Sequence, residues 1–182
     1  MTQFTVTSGK IICTDPCYNF EYREGLQMLV ENCKLGEWRA RVVTSNEGAW
    51  GNRVAELVVT HESADSVNLS RYYDWVEVAD GCGVDSGQFG FFDAEKYPTD
   101  ESEFEHDGSG CFYDTICGQT IGDRVGAVSF GVASSSGYGD GSYPVYVAKN
   151  GNGEVVALKV VFISDEDYED EDDYDTEEDI DE

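Results

Sequence analysis

The stretch from Tyr143 to Ile163 reads YPVYVAKNGNGEVVALKVVFI. Two apolar runs, Tyr143 to Lys149 and Glu154 to Ile163, flank the turn Asn150-Gly151-Asn152-Gly153. In the second run Val156, Leu158, Val160 and Phe162 recur at every second position, the period that puts side chains on one face of a strand. Asn and Gly tolerate the left-handed backbone that tight hairpin turns demand. The stretch therefore predicts an antiparallel hairpin with one buried face.

Outward from this hairpin, the same period governs most of the chain. Phe4 to Thr7 and Lys10 to Thr14, around Ser8-Gly9, read as an opening hairpin. Trp38 to Thr44 sets Trp38, Ala40 and Val42 against Arg39 and Arg41, and Val54 to Thr60 and Tyr72 to Ala79 follow as strands. Gln88 to Phe92 and Gly126 to Ala133 are glycine-bearing strands, which points to bulges or close backbone approach. Leu26, Leu29, Val30 and Cys33 break the pattern with helical spacing, so a short amphipathic helix is expected over roughly Phe20 to Cys33. Pro98 to Gly110 reads as a surface loop and Cys111 to Cys117 as a helical turn. The fold class is all-β, a mainly antiparallel sandwich or part-closed barrel with one or two short helices.

The chain has 182 residues and a net charge of -27, unevenly spread. From Asp165 to Glu182, 14 of 18 residues are carboxylates, which leaves 24 acids against 11 bases before that point. The expected organisation is one β-rich domain over 1–164 and a disordered acidic tail over 165–182. Its dense carboxylates would make the tail a lure for a basic surface, in the manner of a DNA mimic, with Tyr168 and Tyr174 adding aromatic contacts, or the tail is simply a solvating bristle. An acidic body excludes direct nucleic-acid binding. The N-terminus has no secretory pattern and no apolar run is long enough for a membrane span, so a cytoplasmic protein is expected. Six cysteines would then be reduced thiols.

Two polar stretches stand out, GCGVDSGQFGFFD from Gly81 to Asp93 and SSSGYGDGSYPVY from Ser134 to Tyr146. Glycines at 137, 139 and 141 permit close approach to a ligand, while hydroxyls and carboxylates supply donors and acceptors. The plain alternative is a pair of ordinary turns. Candidate ligand-binding residues are Asp85, Ser86, Gln88, Ser134, Ser135, Ser136, Tyr138 and Asp140. Asp15, in CTDPCY, reads as part of a turn, and Asp93 as the cap of a helical turn over Ala94 to Tyr97. Asp15, Asp85, Asp93 and Asp140 have the chemistry of a hard-cation site, but their spacing carries no metal motif and none is assigned. The cysteine spacings, Cys13-x3-Cys17 and Cys111-x5-Cys117, are unusual for zinc. Trp38, Trp50, Trp75, Tyr72 and Tyr73 read as core fillers or as a flat-ligand wall. His61 and His106 show no pairing with a nucleophile, so no catalytic residue and no cofactor are assigned.

The run from Ser136 to Phe162, with SGYGDGSYP at its head, resembles the C-terminal signature of a bacterial and phage family, domain of unknown function 4241. GVDSGQFGFFD is similar to that family's preceding Asp-Ser/Ala-Gly motif. The resemblance spans about Gly81 to Phe162 and implies a shared β-rich fold and a shared loop pair, not a reaction. The leading functional expectation is a non-enzymatic binding module, holding a small polar ligand or cation in the Gly/Ser/Asp loops. The alternative is an acidic interaction or inhibitor module, phage-encoded, docking on a basic protein partner, and an uncharacterised hydrolase stands third.

Overall fold

The computed structural model describes residues 2–20, 24–64, 69, 73–105 and 107–164. Among these the strands are β1 (Thr2–Val6), β2 (Ile11–Thr14), β3 (Met28–Val30), β4 (Gly36–Asn46), β5 (Asn52–His61), β6 (Trp75–Val84), β7 (Gln88–Asp93), β8 (Val125–Val128), β9 (Gly131–Ser135), β10 (Gly141–Lys149) and β11 (Val155–Val161). They form two open antiparallel sheets, in the order β1-β4-β5-β11-β10-β6 and β3-β2-β7-β9-β8. The architecture is a β-sandwich, and neither sheet closes into a barrel. No described helix is long and apolar enough to cross a membrane.

The β10–β11 hairpin forms where its sequence predicts, with Val145 opposite Val160 and Val147 opposite Leu158. Its turn is held by Asn150, whose Oδ1 accepts from the N–H groups of Asn152 and Glu154, both at 3.0 Å. Gly153 takes the left-handed backbone there, with φ of 80°. Leu158, Val160 and Phe162 face the core between the sheets, where they meet Phe4, Trp38, Leu57, Phe89 and Phe91. Burial of each such side chain stabilises the fold by about 1.5–3 kcal/mol before entropy is counted.

The second sheet is covered on its other side by helix α1 (Phe112–Asp123). Phe112, Ile116 and Thr120 recur every fourth residue and are buried. With Ile12, Phe92, Tyr97 and Ala133 the apolar pair forms a satellite core. The ring of Phe92 lies close to the strand backbone: a Cβ on Gly131 would sit 2.1 Å from it, and one on Gly90 2.5 Å away. Close approach, rather than a bulge, is what these two glycines supply.

Three local expectations are overturned, and a fourth is borne out but falls short of the full element. The region expected as a helix contains strand β3, paired with β2, and a bridge from Cys33 to Val155. Gly25 and Asn32 both adopt left-handed backbone, with φ of 81° and 58°, leaving too few residues between them for a stable helix. The opening segments do not pair as a hairpin either, because β1 joins β4 in one sheet and β2 joins β3 and β7 in the other. Ser8-Gly9 is a corner between sheets, clamped by Asp93: its Oδ2 accepts from Thr7 N, Thr7 Oγ1 at 2.9 Å and Ser8 N at 3.1 Å. Gly126 to Ala133 is two strands, β8 and β9, paired through Val128 and Gly131. The turn expected over Cys111 to Cys117 extends to the full twelve residues of α1, despite Gly118 and Gly122, because packing on the sheet outweighs their low propensity.

Asp93 also caps the turn that follows it, accepting from Glu95 N at 3.1 Å, as expected. Trp38 is fully buried and Trp50 is exposed, so only the former fills the core. Tyr72, His106 and the tail over 165–182, with Tyr168 and Tyr174, lie outside the described residues.

Candidate functional site

The two polar stretches meet. Strands β7 and β9 pair with Gln88 opposite Ser135 and Phe89 opposite Ser134. Beyond the pairing, Ser136 N donates to Gly87 O at 3.0 Å. On the other flank β10 pairs with β6, so Gly141 stands opposite Val84. The loops over 85–87 and 136–140 are therefore neighbours at one end of the sandwich.

Their side chains divide by role. Ser134 is buried and its hydroxyl donates to Ser135 O. Ser136, also buried, donates to Gly139 O at 2.9 Å, and Tyr143 Oη donates to the same carbonyl at 2.8 Å. Gln88 is buried, accepting from Thr120 Oγ1 at 2.7 Å and donating to Cys117 Sγ at 3.1 Å. These groups hold the loops in shape. Ser135 is half-buried, and Asp140 is exposed. Tyr138 turns away from the Asp85 loop: its hydroxyl donates to Glu47, and its ring lies 5.7 Å from the Arg53 guanidinium. Asp85 and Ser86 face in a third direction, toward the turn that follows β2.

That turn is organised by Asp15. Its carboxylate is fully buried and accepts four hydrogen bonds. Oδ1 accepts from Cys17 N at 2.8 Å and Ser86 Oγ at 2.6 Å, while Oδ2 accepts from Asp85 N at 2.9 Å and Ser86 N at 2.7 Å. Every donor is a protein group, so the carboxylate locks two distant segments together. Tyr18 adds a second tie by donating to Asp85 Oδ2 at 2.6 Å. The Tyr18 carbonyl in turn accepts from the buried Tyr97 hydroxyl at 2.8 Å.

Beside this wall lies a cleft of about 240 Å³, lined by Cys17, Tyr18, Asn19, Leu26, Gln27, Glu101 and Phe104. None of the eight residues singled out from the sequence lines it, although Asp85 grips Tyr18 from behind. Gln27 is buried, and its Nε2 donates to Thr14 Oγ1 and Asn19 O, both at 3.0 Å. Its Oε1 is buried with no hydrogen-bond partner among the described residues. Leu26 approaches strand β6 closely, since a Cβ on Gly83 would lie 2.5 Å from Leu26 Cδ2. CTDPCYN in the sequence signalled a turn at this place; Gln27 was hidden inside the expected helix, and Glu101 and Phe104 inside a loop.

Electrostatics quieten the reactive groups here. Burial pushes the Cys17 thiol well up, and the neighbouring Asp15 carboxylate adds to it. Burial likewise raises Tyr18, reinforced by its bond to Asp85. Tyr113, on α1, is raised by burial and by contact with Cys117, and it also touches Ser86. The described histidine, His61, is engaged in the other sheet, with its ring nitrogens 2.8 Å from Ser63 Oγ and 2.9 Å from Leu35 O. Among the described residues no group of three His, Cys, Asp or Glu side chains stands placed to hold a metal ion.

Comparison with curated proteins and with solved structures finds no match. The family model described as "Protein of unknown function (DUF4241)" matches residues 4–160, which takes in both sheets, α1 and the Asp15–Ser86 junction, so the chain belongs to the DUF4241 family.

Proposed function

We propose that this protein is a non-enzymatic binding module that holds a small polar ligand in the cleft beside the Asp85–Ser86 loop. The observation that carries this reading is the Asp15 junction: a fully buried carboxylate with four protein donors fixes one wall of an open, partly apolar cleft. A wall held this way is ordered before any ligand arrives, which lowers the entropic cost of binding. The thiol at the cleft, Cys17, is held protonated and has no described imidazole beside it, which favours holding a ligand over attacking one. All six cysteines are free, which supports a reducing, cytoplasmic setting.

The test is native mass spectrometry of the full chain as purified, followed by amide NMR spectra with mixtures of small polar molecules. Retained mass, or shifts clustered at Tyr18, Asn19, Gln27 and Phe104, is the expected result. A bare protein whose cleft amides ignore every mixture would defeat the reading. The net charge of -27 favours a second one, in which the acidic chain docks on a basic protein surface. Truncation after Ser164 tests it: partner capture would weaken in a salt-sensitive way while cleft binding persists.

A further inference from the structure

We propose that Asn152, in the turn of the β10–β11 hairpin, is a site of spontaneous deamidation, and that its neighbour Asn150 is protected from the same reaction by the bonds that hold the turn. The turn Asn150-Gly151-Asn152-Gly153 carries two Asn-Gly pairs in succession. In such a pair the backbone nitrogen after the asparagine attacks the side-chain carbonyl carbon, and glycine, without a Cβ, obstructs the approach least. The bond from the glycine nitrogen to Cγ forms and the bond from Cγ to Nδ2 breaks. Nδ2 leaves as ammonia, taking the proton of the backbone nitrogen with it. Water then opens the cyclic imide at one carbonyl or the other, giving aspartate or isoaspartate with no change of oxidation state.

The structure treats the two asparagines differently. Asn150 is half-buried and engaged at both ends of its amide. Its Oδ1 accepts from the N–H groups of Asn152 and Glu154, both at 3.0 Å, and its Nδ2 donates to Glu154 Oε2 at 2.8 Å. Two backbone donors at one end and a carboxylate at the other fix which atom is which. The same Glu154 oxygen accepts from Lys34 Nζ at 3.0 Å, and Asn150 and Lys34 together hold the Glu154 carboxyl below its ordinary pKa, so it stays a charged acceptor. To bring Cγ over Gly151 N, Asn150 must give up all of these bonds. Asn152, by contrast, is exposed, and its side chain makes no hydrogen bond among the described residues. Only the attacking nitrogen is held there, since Gly153 N donates to Asn150 O at 2.9 Å across an exposed turn. One bond against three selects the site. An isoaspartate at 152 lengthens the main chain ahead of Gly153 by one atom, which disturbs that closing bond and the one from Asn32 Nδ2 to Gly153 O at 2.9 Å.

The experiment ages the full chain at pH 8 and 37 °C beside a synthetic peptide spanning residues 148–160, in which nothing holds the turn. Trypsin cuts after Lys149 and Lys159, so both asparagines fall in one fragment, and its mass spectrum assigns each gain of one mass unit to its residue. An unaged sample digested in parallel corrects for loss during digestion. In the folded chain Asn152 is expected to convert about tenfold faster than Asn150, equivalent to about 1.4 kcal/mol, which is about what one or two hydrogen bonds contribute net. In the peptide the two rates should be similar. Glu154→Ala, which removes the acceptor of Asn150 Nδ2, should speed conversion of Asn150 by about threefold or more and leave Asn152 unchanged. Asn150 converting as fast as Asn152 in the folded chain, or staying as slow in Glu154→Ala as in the parent, overturns the protection. Asn152 remaining intact while the peptide converts overturns the site. The comparison of folded chain with peptide needs no substitution, so it stands even where Glu154→Ala fails to fold.

Discussion

Replacing Asp15 by Ala tests the junction on which the cleft depends. The substitution removes an acceptor from four donors at once: Cys17 N, Asp85 N, Ser86 N and Ser86 Oγ. A typical internal hydrogen bond contributes about 1 kcal/mol, and a donor left buried without a partner costs about 1–3 kcal/mol. Cys17 and Ser86 are half-buried and Asp85 is exposed, so water can reach some of the freed groups and the full penalty does not apply to all four. The working figure is a loss of about 4 kcal/mol, a large share of the roughly 5–15 kcal/mol that holds a domain folded. Asp15→Asn should cost less than Asp15→Ala. With its amide nitrogen in the Oδ1 place it still accepts from Asp85 N and Ser86 N and donates to Ser86 Oγ, whose hydroxyl can turn to accept, so mainly the Cys17 N bond is lost. Urea unfolding followed by tryptophan fluorescence reads the stability. Hydrogen exchange at Asp85 and Ser86 should accelerate in Asp15→Ala well before global unfolding. A loss below about 1 kcal/mol for Asp15→Ala, with exchange at those amides unchanged, would refute the claim that this carboxylate builds the wall.

Three further outcomes follow from the same contacts. Burial raises the Asp93 pKa, but the donors from Thr7 and Ser8 outweigh it and leave it below the ordinary value. Its contribution is thus present above the unfolded carboxyl value of about 3.9 and fades as pH falls through the folded one; acid titration of stability in Asp93→Asn should show a shallower decline there than the parent. Gly131→Ala places a methyl 2.1 Å from the Phe92 ring and should cost at least about 1–3 kcal/mol of stability, whereas Gly118→Ala, with nothing within 4 Å, should gain about 0.5–1 kcal/mol in the same urea assay. The raised Cys17 thiol should be alkylated slowly by iodoacetamide at pH 8, and faster in Asp15→Ala, as read by peptide mass mapping; equal rates would count against the Asp15 contribution.

What the sequence by itself determined is whatever depends on near neighbours. The Asn150–Gly153 turn and the alternation through Leu158, Val160 and Phe162 are set by backbone geometry and side-chain period within a few residues. The meeting of the 85–87 and 136–140 loops is decided by the pairing of β7 with β9 and of β6 with β10, which joins strands far apart in sequence. The helix expected over Phe20 to Cys33 shows the limit: four apolar residues at helical spacing are also the residues that a strand partner can bury, and β2 won the competition. Only the tertiary structure decided the cleft. Asp15 finds its donors 70 and 71 residues away, and Gln27 becomes an orphaned acceptor through bonds to Thr14 and Asn19 across a turn no periodicity describes. Periodicity records which side chains leave water; which polar atoms then face one another is fixed by how the sheets stack and where the loops cross.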